Sequence, residues 1–133
     1  MKLGQGSRRT AQEIIRILWL EDNPDDVTLG LTTLRNAGLK AYCETADSPE
    51  EFKKRLHSKK FDIVLADYQL PSWSGVEALE LLRKTDSQIP FILVTGTLPE
   101  AAAVRCIEQG ITDYVLKESI GRIAGVGPVG AGQ

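Results

Sequence analysis

Four places in the chain set a chemically capable side chain at the end of an apolar run. Asp67 closes Ile63-Val64-Leu65-Ala66 and opens Asp67-Tyr68-Gln69-Leu70-Pro71-Ser72-Trp73-Ser74-Gly75. Glu21-Asp22 follows Ile17-Leu18-Trp19-Leu20, Thr95 closes Phe91-Ile92-Leu93-Val94, and Lys117 closes Tyr114-Val115-Leu116. The carboxyl ends of strands are where open α/β sheets bind ligands. Glu21, Asp22 and Asp67 together would repel one another unless a cation binds or a proton is retained. Hard oxygen ligands with an open side suit Mg²⁺. Lys117 offers a fixed positive charge and Thr95 a hydroxyl. Singly, each has a plainer reading. A strand-end aspartate holds a turn, acids such as Asp25 and Asp26 favour a helix N-terminus, and Thr95 suits a strand. Asp25 and Asp26 keep that plainer reading; the other residues, in this order and each at a strand end, describe one site.

The elements that must carry these groups alternate strand and helix. A first strand spans residues 14–20, a near-continuous apolar run as expected for burial on both faces. Asn23 then Pro24 reads as a helix cap and first helical residue, with Val27, Leu31 and Leu34 inward and Gly38 as the stop. A weaker strand follows at 41–46. Ser48-Pro49-Glu50-Glu51 has the form of a capping box and opens a helix with Phe52 and Leu56 inward. The third strand is 62–66. The loop to Gly75 leads to a helix with Val76, Leu79 and Leu82 on one face. The fourth strand starts at Pro90. A helix over 99–109, with Ala103 and Ile107 one turn apart, ends at Gly110, and a fifth strand covers 113–116. The alternation implies βαβ units, a parallel sheet and helices on both faces. After Ser119 only Ile120, Ile123 and Ala124 could face a core before Gly125, Gly127, Pro128, Gly130 and Gly132, so a long fifth helix is not expected.

These residues resemble the receiver domain of two-component response regulators, over about residues 15–123. The string from Asp67 to Gly75 fits that family's Asp-x-x-(Leu/Met)-Pro-x-x-x-Gly loop, with Trp73 where Met is commoner. The resemblance implies an α/β, flavodoxin-like, doubly wound five-stranded parallel sheet of order 2-1-3-4-5, here with the fifth helix short or missing. It implies a receiver domain over 14–124, an extension at 1–13 and a Gly-rich tail at 125–133. Asp67 would be the phosphoacceptor, forming an aspartyl phosphate by nucleophilic attack. Such a transfer needs neutralisation of charge around the phosphoryl group more than it needs a base. Mg²⁺ would be held by Asp22 and Asp67 directly, by Glu21 mainly through a metal-bound water, and by the backbone carbonyl of Gln69. Lys117 and Thr95 would stabilise the phosphoryl group. Tyr114 would be the aromatic switch following the threonine inward, with a buried structural tyrosine as the other reading. Gly96 would leave room for the phosphoryl group, and Gln69 and Thr97 would tune hydrolysis of the anhydride. The implied partner is a histidine kinase or histidine phosphotransfer protein, with a homodimer possible. The chain would be no turnover enzyme, catalysing only its own phosphorylation and dephosphorylation. A phosphorylation-independent docking or dimerisation module is the alternative.

Composition is consistent with this and excludes other classes. With 133 residues, 42% hydrophobic and 26% charged, the chain is one ordinary globular domain. A formal net charge of −2 and no Lys/Arg stripe argue against direct nucleic-acid binding. No apolar stretch is long enough for a membrane span, and the start lacks a signal-peptide pattern, so a cytoplasmic location is expected. Cys43 and Cys106 stand singly and read as small core residues. His57 reads as a C-terminal helix residue rather than a base. A phosphatase resembling the haloacid dehalogenase group would want an aspartate where Gln69 stands. Dinucleotide binding would want a G-x-G-x-x-G after the first strand. With no output domain after Lys117, the chain reads as a stand-alone receiver or a piece of a larger regulator or hybrid kinase.

Overall fold

Side chains alternate across a strand, so a run that is apolar throughout needs a covering layer on each side. The computed structural model, which describes residues 14–85, 88–96 and 100–122, supplies both layers. Strands β1 (Ile15–Leu20), β2 (Ala41–Ala46), β3 (Ile63–Ala66), β4 (Phe91–Thr95) and β5 (Asp113–Leu116) alternate with helices α1 (Pro24–Asn36), α2 (Pro49–Ser58), α3 (Gly75–Lys84) and α4 (Glu100–Glu108). Every pairing is parallel and the order is β2-β1-β3-β4-β5, the expected flavodoxin-like arrangement. Leu18, Leu20, Val64, Ala66 and Leu93 join Phe52, Leu79, Leu82 and Cys106 of α2, α3 and α4 on one face. Ile17, Trp19, Ile63, Leu65, Ile92 and Val94 join Val27 and Leu34 of α1 on the other.

Caps place the helix starts at the carboxyl edge of the sheet. The Asn23 side chain accepts from Asp25 N at 2.9 Å, with Pro24 opening α1. Gly38, with φ 92°, follows the end of α1 in the left-handed region expected of a stop. At α2 only half of the expected box forms. Ser48 Oγ accepts from Glu51 N, but Glu51 reaches back to Asp47 N rather than to Ser48. The full reciprocal box is at α3, between Ser74 and Glu77. His57 sits in the last turn of α2, its Nδ1 2.8 Å from the Lys53 carbonyl.

One expectation holds and one needs correction. In α4 Cys106 is buried, as expected, while Ile107, one residue on, is 64% exposed. One residue turns a helix by about 100°, so the contact through Cys106 carries Ile107 outward. Cys43 lies on the edge strand, only partly buried, and desolvation together with Glu44 pushes its thiol up to about 12. The N-terminal extension, Thr97, Pro99, Ile123, Ala124, the Gly-rich tail and the side chain of Ala103 lie outside the described residues.

After β5 the described residues make only a 3₁₀ segment, Lys117–Arg122, kinked at Ser119, in line with a fifth helix that is short or missing. Its Ile120 enters the α1-side core, which also holds Trp19. A Cβ at Gly30 of α1 would stand 2.3 Å from the Trp19 ring and 2.9 Å from Ile120 Cδ1, so the indole and this glycine are matched. The β2 edge carries charge. Glu44 bonds Lys59, Tyr42 and Arg55, and these contacts, Lys59 foremost, hold its carboxyl down at about 2. Such clusters discourage another strand from pairing there.

Candidate functional site

Register brings the predicted groups together. Leu20 pairs with Ala66, so the next residues, Glu21 and Asp67, leave neighbouring strands side by side. Asp67 N donates to Leu20 O at 3.0 Å. Thr95 pairs with Leu116, which puts Lys117 just past the end of β5. The Lys117 ammonium then reaches three carboxylates: Asp26 Oδ2 at 2.5 Å, Glu21 Oε1 at 3.1 Å and Asp67 Oδ2 at 3.3 Å.

Burial sets the electrostatics. Glu21 is 5% exposed, and desolvation pushes its carboxyl above the usual range. Its contact with Lys117 works the other way, and the Asp67 charge raises it again. Oε2 accepts from Asn23 N at 3.2 Å, while Oε1 is buried with the ammonium beside it but no aligned hydrogen bond. For Lys117, partial burial alone would lower the ammonium's pKa. The hydrogen bond to Asp26, the contact with Glu21 and the Asp67 charge outweigh that and raise it. Lys117 is therefore a fixed cation at any ordinary pH.

Asp26 is the member that sequence reasoning missed, having been read as a helix-start acid. A signal was present. Asp26, Gly30 and Leu34 lie one turn apart on α1, and Gly30 and Leu34 are buried. An acid at the head of an inward stripe is placed over the end of the sheet.

The remaining predicted residues take less intimate positions. Asp22 is exposed. Thr95 is buried at the end of β4, and Tyr114 on β5 is 41% exposed, which removes the reading of a buried structural tyrosine. Gln69 is exposed, its N–H 3.4 Å from Asp67 Oδ1. A Cβ at Gly96 would meet nothing within 4 Å, so crowding by the protein itself does not require glycine there.

The loop after Asp67 is held tightly. Gly75 N donates to Tyr68 O at 2.9 Å and Leu70 N to Trp73 O at 3.0 Å. A Cβ on Gly75 would lie 2.8 Å from the Asp67 carbonyl oxygen and 2.6 Å from Leu93 Cδ2, so this glycine answers to close approach. Trp73 is buried against Phe52, ring centroids 5.6 Å apart. The larger ring thus finds its room beneath α2.

Among the described residues no three acid, histidine or cysteine side chains are drawn close enough to clasp an ion as they stand. The positive charge among the acids is the Lys117 ammonium. The donor set still fits a hard cation. It offers carboxylate oxygens, and Glu21 Oε1 is buried without an aligned donor.

The sequence profile of the response regulator receiver domain matches residues 17–123. This chain belongs to that family. The transcriptional regulatory protein AfsQ1 of Streptomyces coelicolor is 37% identical over 79 residues, which are 59% of this chain and 35% of that protein. The DNA-binding transcriptional regulator NtrC of Escherichia coli is 30% identical over 102 residues, 76% of this chain and 21% of that protein. The receiver thus spans well under half the length of either relative. Its fold is similar to the receiver domain of the sensor histidine kinase PA1611 from Pseudomonas aeruginosa, with a TM-score of 0.68 and 23% identity over 84% of this chain and 95% of that one. That domain has a magnesium ion coordinated in its active site cleft. Among the described residues of this receiver no helix is long and apolar enough to cross a membrane.

The Lys117–Glu21 pair makes a test of the receiver's electrostatics. Lys117→Ala leaves a buried carboxylate without its cation, which costs about 3–5 kcal/mol for a fully buried pair. With Lys117 about a third exposed, roughly 1–3 kcal/mol is expected at neutral pH. Glu21 already has a raised pKa, and the substitution raises it further. An acid with a raised folded pKa loses stability as pH climbs from its unfolded value through the folded one. The melting-temperature gap between wild type and Lys117→Ala in metal-free buffer should therefore be small near pH 4 and widen toward pH 7. A gap independent of pH would show that Glu21 does not depend on Lys117.

Proposed function

We propose that this receiver takes a phosphoryl group onto Asp67 from a histidine kinase or a histidine phosphotransfer protein, with Mg²⁺, and thereby switches a protein-interaction surface. The observation that carries the reading is the Asp67 carboxylate at the end of β3, 3.3 Å from the Lys117 ammonium and beside buried Glu21. In the transfer a carboxylate oxygen of Asp67 forms the new bond to phosphorus, and the donor's leaving group departs with the electron pair of the bond that breaks. No base is required. Lys117 would stabilise charge on the phosphoryl oxygens, and the Thr95 hydroxyl would donate to one of them. Asp22, Asp67 and the Gln69 carbonyl would hold Mg²⁺, with Glu21 in support. When bound, the ion supplies positive charge to the phosphoryl group and relieves repulsion among the acids.

Thr95 and Tyr114 would carry the change outward. The threonine would shift toward the phosphoryl group and the half-exposed ring of Tyr114 would follow. Among the described residues, Val104 and Ile107 on α4, with Tyr114 and Leu116 on β5, are the exposed large apolar side chains in this part of the fold and suit a surface that changes partners. The chain would not turn over a metabolite.

The test is intact mass after incubation with acetyl phosphate. One phosphoryl group per chain is expected with Mg²⁺ and none with the metal chelated. A chain that stays unlabelled with Mg²⁺ would exclude the phosphoacceptor reading and leave the docking or dimerisation module as the function.

A further inference from the structure

We propose that Asp26 is a positioning residue of this site: it draws the Lys117 ammonium toward α1 in competition with the phosphoryl group and so restrains phosphorylation by anionic donors. The inference rests on the phosphoacceptor reading of Asp67 and deepens it. An ammonium has three N–H donors, and Lys117 faces three carboxylates. The nearest, at 2.5 Å, is Asp26 rather than Asp67 at 3.3 Å or Glu21 at 3.1 Å. The cation expected to neutralise the transferring group is thus pulled away from Asp67 by an acid on a different element, 91 residues away in sequence.

Asp26 is well placed for this. It sits in the first turn of α1, which is anchored by the Asn23 cap and packed on the sheet through Val27, Gly30 and Leu34. Its carboxylate is about one-third exposed, and Lys117 is its hydrogen-bond partner. Two effects follow from one charge. The ammonium shares its field with Asp26, and Asp26 adds its own repulsion to that of Glu21 and Asp67 against an incoming anion. In the reaction, an Asp67 oxygen bonds to phosphorus while the bond from phosphorus to the acetyl oxygen breaks and acetate leaves with the pair. Asp26 takes no part in bond making and moves no proton. It sets where the positive charge stands while the anion arrives.

Asp26→Asn keeps the shape and removes the charge. The second-order rate constant for labelling by acetyl phosphate with Mg²⁺ should rise by about three- to ten-fold, the range for one partly screened charge a few ångströms away. The gain should appear mainly as a lower half-saturating donor concentration. It should be smaller with phosphoramidate, the less anionic donor, and should shrink at high salt. Asp26→Glu should restore the wild-type rate, and Asp26→Ser should reproduce the gain if the asparagine variant is poorly folded. Equal or slower labelling of folded Asp26→Asn or Asp26→Ser, or an equal gain in Asp26→Glu, overturns the proposal while leaving Asp67 as the acceptor. An unlabelled wild-type chain overturns both.

Discussion

Asp67→Asn is expected to take up no phosphoryl group from acetyl phosphate with Mg²⁺ while remaining folded. The amide has no anionic oxygen to attack phosphorus, so labelling should fall to background rather than merely slow. Stability should change little. Lys117 keeps Asp26 and Glu21, both closer than Asp67. The charge on Asp67 also opposes ionisation of Glu21, so its removal relieves part of the strain on that buried acid. The paired measurement is intact mass and thermal melting on the same preparation. Labelling of Asp67→Asn at the wild-type rate would move the acceptor elsewhere. A large loss of melting temperature would show that Asp67 is chiefly structural.

Gly75→Ala should damage both the fold and the site. Alanine gains up to about 1 kcal/mol over glycine within a helix, and Gly75 opens α3, where that gain is smaller. Against it stands a Cβ 2.8 Å from the Asp67 carbonyl oxygen and 2.6 Å from buried Leu93. Neither neighbour yields easily, because one is backbone tied to β1 through Asp67 N and Leu20 O and the other is core. Overpacking of this kind costs about 1–3 kcal/mol, sometimes more, and a backbone partner puts the expectation at the upper end. The urea midpoint should fall at an unchanged slope. Labelling of the folded fraction should also slow, since relief of the clash must move the segment that carries Asp67. A midpoint equal to wild type would mean that α3 can shift away, and that the glycine serves no close approach.

The division between what could be read along the chain and what could not follows the range of the interactions. Strands buried on both faces leave continuous apolar runs, and helix starts leave short-range signatures such as Asn23-Pro24. The element order, the parallel sheet and the placing of Glu21, Asp67, Thr95 and Lys117 at strand ends were therefore all legible. That only a 3₁₀ segment follows β5 among the described residues fits the expectation of a short or missing fifth helix, which rested on glycine and proline acting locally. Orientation by one residue was not. Cys106 was read as a core residue and is buried, but that Ile107, equally apolar and one residue on, faces outward depends on how α4 rolls against the sheet. The partner of a capping glutamate is Asp47 N rather than Ser48 N, a choice between adjacent backbone groups that residue types alone do not make. Trp19 needs Gly30 opposite it, a match between β1 and α1 that neither segment announces. Asp26 makes the same point at the site. Counting both ends, four acids stand from Glu21 to Asp26, and local rules read Asp25 and Asp26 alike as helix-start acids. The close approach of Lys117, carried in by β5 from the far end of the chain, selects Glu21 and Asp26 and leaves Asp22 at the surface. Charge pairs form where tertiary packing brings the groups together, and that is why only the folded structure could name them.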